Sequence, residues 1–180
     1  MKDITLKQYL ELKDVSQYSF IDSLKPKDTF NGVKLDISLM TYSEVKGVMK
    51  SLKDFKTIEN VKDIFETCFK CDVIEFYNSN LVAFTQAKKH VLNTFKKLIE
   101  NENKLLQSVS VDAMLWQSAG GDKLNKFSDI MALVQLGEIY GVYPFELENK
   151  KYFEILTLLR VNKVKNEVDA KYNELKRQQK

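Results

Sequence analysis

Arginine is nearly absent from this sequence, with Arg160 and Arg177 standing alone among many lysines. Its planar fork is the preferred bidentate reader of phosphate and guanine, so base-specific nucleic-acid recognition built on arginine is disfavoured. Proline and glycine are also scarce, at two and six residues. An all-β chain of this size draws heavily on both for its turns, which favours helices before any pattern is read. Two cysteines in 180 residues are too few to staple the chain and fit a reducing compartment. No apolar run reaches the ~18 residues that mark a membrane-spanning helix. The opening MKDITLKQYLELKD lacks the apolar core of a secretory signal. A cytosolic setting without a membrane partner is expected.

The same scarcity removes most familiar chemistries. Cys68-Phe69-Lys70-Cys71 has CxxC spacing, but a structural zinc site needs four ligands and His90 is the only histidine. A redox dithiol usually occupies the exposed start of a helix, whereas Cys68 falls late on an amphipathic one. Both cysteines read as core or surface passengers, with a site shared between subunits as the alternative. His90, in Lys88-Lys89-His90-Val91, has no Ser or Cys motif near it and reads as a surface residue. Gly120-Gly121-Asp122-Lys123 lacks both the spacing and the preceding strand of a phosphate-binding loop. Trp116, the sole tryptophan, reads as a core residue under a helix, with a binding platform as the alternative. Tyr140, Tyr143, Phe145, Tyr152 and Phe153 fit either a helix-junction core or an interface patch. No catalytic residue, cofactor or metal is expected, and the chain is not read as an enzyme.

What is present is a helical pattern with clear punctuation. Hydrophobic residues at 44% and charged residues at 29% suffice for one folded body. Thr5-Leu6-Lys7-Gln8 and Thr41-Tyr42-Ser43-Glu44 have the spacing of capping boxes and open helices at Leu6 and Tyr42. The first should reach about Lys13, and Ser16 to Leu24 can add a short second helix. Lys25-Pro26 and Asn31-Gly32 mark a loop within residues 25–40, and the alternation from Val33 to Leu39 reads as extended without an evident partner strand. Further helices are expected after Thr57, from Asn80 to about Leu106, from Val111 to Ala119, and from Phe127 to Tyr140, with Gly141 as the left-handed exit. Pro144 suits a first helical turn, and a last helix runs from about Asn149 to about Gln178. The expected fold is an all-α bundle of about six or seven helices with a long, projecting, amphipathic C-terminal helix.

That last helix divides in two. Its first half is apolar through Leu159. Beyond it, Val161, Val164, Val168, Tyr172 and Leu175 form a narrow stripe among charges, as on a helix that pairs with another helix. A solvated, fraying tail fits the same pattern. Residues 1–160 are therefore expected to form a helical body and residues 161–180 a charged extension. From Val161 to Lys180 there are six basic and three acidic residues, so the +3 of the whole chain resides there. Lys171, Lys176, Arg177 and Lys180 are the residues through which this tip could touch nucleic acid nonspecifically, as a helical binding or regulatory module.

Trp116-Gln-Ser-Ala-Gly-Gly, then Leu136-Gly-Glu-Ile-Tyr-Gly-Val-Tyr-Pro-Phe-Glu-Leu, then Tyr152-Phe153 lie within residues 116–159. This stretch resembles small helical virion and assembly proteins of tailed bacteriophages, in particular tail-assembly chaperones and minor structural proteins of low-GC gut phages. The resemblance implies an oligomeric, non-catalytic role as ring, adaptor, packaged cargo or assembly factor. It further implies copies of the chain or other virion and assembly proteins as partners, and the host cytoplasm or virion as location. It carries over no functional residue.

Overall fold

In a computed structural model, which describes residues 4–107 and 117–179, the chain is all-α apart from one two-stranded hairpin. The order is α1 (Leu6–Leu10), a 3-10 helix (Ser16–Ser23), β1 (Thr29–Phe30), β2 (Val33–Lys34) and a 3-10 turn (Ile37–Leu39). Then come α2 (Tyr42–Ser51), α3 (Ile58–Phe69), α4 (Val73–Asn78) and α5 (Leu81–Leu106). A 3-10 helix (Gly121–Phe127), α6 (Ser128–Tyr140), α7 (Pro144–Leu147) and α8 (Tyr152–Gln178) complete the chain. The expected helix from Val111 to Ala119, with Trp116, lies largely outside the described residues.

Two compact units are distinguishable: Met1–Ile37 with Gly47–Ile99, and Ser38–Lys46 with Glu100–Lys180. The expected boundary at residue 160 falls inside α8, which continues unbroken across it.

The first unit is organised around Phe65, fully buried on α3. Its ring meets Phe30, Phe69, Phe76 and Phe84 at centroid separations of 4.8 to 5.5 Å, in edge-on or tilted geometries that aromatic pairs prefer. Val61, Ile64, Cys68 and Phe69 share the buried face of α3, as their spacing predicts. Phe30 reaches this cluster through a tight hairpin that pairs Thr29 with Lys34 and Phe30 with Val33. Asn31 (φ 47°) and Gly32 (φ 82°) both take the left-handed conformation that a two-residue hairpin loop requires. The expectation of an extended Val33–Leu39 without a partner is thereby corrected. Only Val33–Lys34 is strand, its partner is Thr29–Phe30, and Ile37–Leu39 turns into 3-10 helix.

α1 is shorter than expected, ending at Leu10, where the Leu12 amide tightens onto the Tyr9 carbonyl at 3.2 Å; beyond it the Asp14 carboxylate accepts from the Ser16 amide. α4 was not anticipated. Asp72 and Glu75 cap it reciprocally, in a six-residue helix too short to show a periodicity.

Each unit uses the same device to begin two helices. In the first, the Leu6 amide donates to the Ser79 carbonyl at 2.9 Å and the Leu81 amide to the Ile4 carbonyl at 3.0 Å, so that Thr5 and Asn80 form an antiparallel bridge. In the second, the Tyr42 amide donates to the Lys150 carbonyl at 2.8 Å and the Tyr152 amide to the Met40 carbonyl at 3.0 Å, bridging Thr41 and Lys151. The first amides of a helix have no partner within it. Here two helix starts satisfy each other. Both expected capping boxes, Thr5 with Gln8 and Thr41 with Glu44, sit in these bridges.

The core of the second unit gathers Met40, Tyr42 and Val45 with Leu133 and Leu136 of α6, Leu147 of α7, and Tyr152, Ile155, Leu156 and Leu159 of α8. α6 ends on Gly141 in the left-handed conformation, and Pro144 opens α7, both as the sequence predicts.

Candidate functional site

α8 presents the features most in need of a functional explanation. Its N-terminal part packs through Tyr152, Ile155, Leu156 and Leu159. Lys163 closes the packed region: its ammonium donates to the Leu105 carbonyl at 3.2 Å and pairs with Glu167 at 3.5 Å. From Val164 to Gln179 every residue is exposed. Val161, Val164, Val168, Tyr172 and Leu175 are 49–63% exposed, so the entire sequence-derived stripe lies uncovered.

Packing reveals a relation that periodicity alone did not. At 100° per residue, the stripe centres about 170° around the helix from the buried face, so it is a second apolar face rather than a continuation of the first. It also begins earlier than the sequence suggested. Phe153, 43% exposed, stands on the same line, reached from Val161 through Thr157. The ambiguous aromatic group divides accordingly. Tyr152 is core, while Tyr140, Tyr143, Phe145 and Phe153 are exposed, and the Tyr143 and Phe145 rings lie 5.4 Å apart.

The basic residues of the tip do not converge. Lys171, Lys176 and Arg177 are exposed on α8, and helical geometry directs them to three different sides, so no single face offers them jointly to a phosphate backbone. Lys180 lies outside the described residues.

The buried polar chemistry of the second unit centres on Glu102. Its carboxylate accepts from the Tyr152 hydroxyl at 2.7 Å and forms an ion pair with Lys46, whose ammonium also stands 5.5 Å from the Tyr42 ring centroid. Burial, and then the hydrogen bond to Glu102, hold the Tyr152 hydroxyl well above the usual tyrosine range. Such a phenol is a poor proton donor near neutrality. What the group does is fasten the end of α5 to the starts of α2 and α8.

In the first unit, Cys68 and Cys71 are both buried thiols. Burial pushes the Cys71 thiol up to about 11, the opposite of what a nucleophilic or redox cysteine requires. Among the described residues, no group of three or more His, Cys, Asp or Glu is placed to hold a metal ion. His90 is half-buried rather than fully on the surface, with Nε2 3.3 Å from the Thr94 hydroxyl one turn on. Its neighbour Lys89 reaches the carbonyls of Ile21 and Leu24 at 3.0 and 3.1 Å, and that of Asp22, neutralising the end of the first 3-10 helix. Leu10, Val73 and Ile74, 47–71% exposed, border a shallow groove of about 450 Å³ between α1 and α4. Among the described residues, no helix is long and apolar enough to cross a membrane.

No protein family, curated protein or solved structure matches the chain.

Proposed function

We propose that this chain is a non-enzymatic structural or assembly protein that works through helix-mediated protein contacts, as a component or assembly factor of a tailed-phage particle. The uncovered apolar stripe on α8 carries the reading. Valine, tyrosine and leucine repeat along one side of a helix that packs only through its N-terminal part, and an amphipathic helix leaves such a face to water only at a cost of about 25 cal/mol per Å² of apolar surface. The phage component of the reading rests on the resemblance of residues 116–159.

The contact is tested by light scattering coupled to size-exclusion chromatography on the intact chain and on one lacking residues 161–180, with circular dichroism to check that the shortened chain folds. Loss of oligomeric state, or of binding to a neighbouring virion protein, on truncation is the expected result. Unchanged assembly and binding would overturn the proposal. The phage origin is tested separately by the coding neighbourhood, where head or tail morphogenesis genes are expected on either side.

A further inference from the structure

The two units repeat one arrangement at a constant shift of 71 residues. α3 is capped by Lys70 and α6 by Gly141, both left-handed, and each cap donates its amide to the carbonyl four residues back, that of Glu66 or Gly137. A short helix follows, α4 or α7. The Ser79 amide then donates to the Phe76 carbonyl at 3.3 Å, as the Lys150 amide does to that of Leu147 at 3.1 Å. Asn80 and Lys151 bridge to an earlier helix start, and the long helices α5 and α8 begin at Leu81 and Tyr152. Buried residues keep the same register: Phe65 with Leu136, Phe76 with Leu147, Leu81 with Tyr152, and Phe84 with Ile155. Caps, bridges and core positions that agree in one register describe a single module present twice.

The two copies differ in what covers them. In the first, the hairpin lays Phe30 against Phe65 and Phe69, at ring separations of 4.8 and 5.5 Å, and the Asn31 side chain donates to the Glu75 carbonyl at 3.4 Å. There, Cys68, Phe69 and Cys71 are no more than 6% exposed. Their counterparts are Ile139, Tyr140 and Val142. Ile139 is 51% and Tyr140 46% exposed, and Val142 is half-buried. Among the described residues, the second unit has no hairpin to play the part of Phe30.

We infer that this face of α6 and α7 is a docking site for a turn of a partner protein that carries an aromatic side chain with basic residues beside it. The face shares no residue with the α8 stripe, so the inference stands apart from the helix-contact reading. Phe30 supplies the aromatic part, since it shows which kind of side chain the module accepts at this place. Charge supplies the rest. Between Lys126 and Lys150 there is no lysine or arginine, in a sequence with 28 of them, but there are Glu138, Glu146 and Glu148. Glu138 precedes Ile139 on α6, and Glu146 is the counterpart of Glu75, whose carbonyl Asn31 meets. An acidic rim around an apolar centre complements a basic partner and steers its approach. Tyr143 and Phe145, whose rings lie 5.4 Å apart, add exposed aromatic side chains of the kind that anchor interfaces.

The probe is a backbone-cyclised peptide with the sequence of Lys27–Lys34, which holds a phenylalanine between two lysines. It is titrated into the isotope-labelled full chain and followed by amide NMR. Shifts should concentrate at Ile139, Tyr140, Val142 and Glu146 and diminish with added salt. Replacing the peptide's phenylalanine by alanine should weaken binding about tenfold to a hundredfold, as loss of one buried aromatic side chain does. Tyr140→Ser, checked for folding by circular dichroism, should weaken it about tenfold. Absence of shifts at millimolar peptide, shifts confined to the first unit around Phe65 and Phe69, or binding indifferent to salt would overturn the inference. So would a folded Tyr140→Ser chain that binds the peptide as the parent does.

Discussion

The Tyr152 hydroxyl donates to the Glu102 carboxylate at 2.7 Å, fifty residues apart in sequence, while Lys46 pairs with the same carboxylate. Only 13% of the Glu102 side chain and 20% of that of Lys46 are exposed, so solvent replaces little of either contact once it is broken.

Glu102→Ala should therefore cost about 2–4 kcal/mol, because it strands a lysine and a phenol together, and Tyr152→Phe about 1 kcal/mol, because it keeps the packing and removes one hydrogen bond. Urea denaturation followed by circular dichroism measures both. Equal losses would mean that the ion pair contributes nothing beyond the phenol. The raised pKa of Tyr152 has its own consequence. Stability held by the neutral phenol is complete below the usual tyrosine range and declines as pH rises through it, since the unfolded chain ionises first. Tyr152→Phe should flatten that alkaline decline.

The paired helix starts suggest that their caps matter in proportion. Thr5→Ala and Thr41→Ala each remove a hydroxyl that accepts a backbone amide at 3.2 Å within a bridge, and each should lower stability by about 1 kcal/mol. Thr5→Ser and Thr41→Ser should restore most of it. Hydrogen exchange at Gln8 and Glu44 amides reports the local effect, and unchanged protection in the alanine variants would contradict it.

These caps were legible because a capping box is a four-residue signal that local physics reads directly. The face of α3 was legible for the same reason at longer range, five buried residues falling where a helical period puts them. The Thr29–Phe30 strand was not, since two residues carry no alternation and only Asn31-Gly32 hinted that the chain doubled back. Tyr152 and Phe153 show the other limit. Adjacent and both aromatic, they read as one greasy segment, yet one is buried and the other lies on the exposed stripe. Which side of an amphipathic helix its own protein has used depends on the neighbours, and Glu102 and Lys46 reach Tyr152 only through the fold.

Cys68 and Cys71 should resist alkylation in the folded protein at neutral pH and react fully in denaturant, as expected for buried thiols, one of them held up to about 11. The Cys71 contribution to stability is present below the ordinary thiol range and is lost as pH rises through about 11, again because the unfolded chain releases its proton first. Mass spectrometry after iodoacetamide treatment checks the first statement. Rapid labelling of Cys71 at neutral pH would reopen the reading of the CxxC pair as a reactive site.

Two helical glycines should respond to alanine with opposite sign. Gly47 lies on the exposed face of α2, and a Cβ there meets no atom within 4 Å. Gly47→Ala therefore removes backbone freedom from the unfolded chain without strain and should stabilise by about 0.5–1 kcal/mol. Gly137 lies in α6 where the chain, after turning at Gly141, returns across it. A Cβ there would stand 2.6 Å from the Val142 carbonyl oxygen and 3.1 Å from Cγ of Pro144. The Val142 amide also donates to the Gly137 carbonyl at 3.1 Å, so the returning chain is held in place and relief requires opening the turn. Gly137→Ala should destabilise by about 1–3 kcal/mol despite the better helix propensity of alanine. Thermal denaturation of the two variants beside the parent decides the matter. A Gly137→Ala variant as stable as Gly47→Ala would show that the return across α6 yields more readily than its hydrogen bond implies.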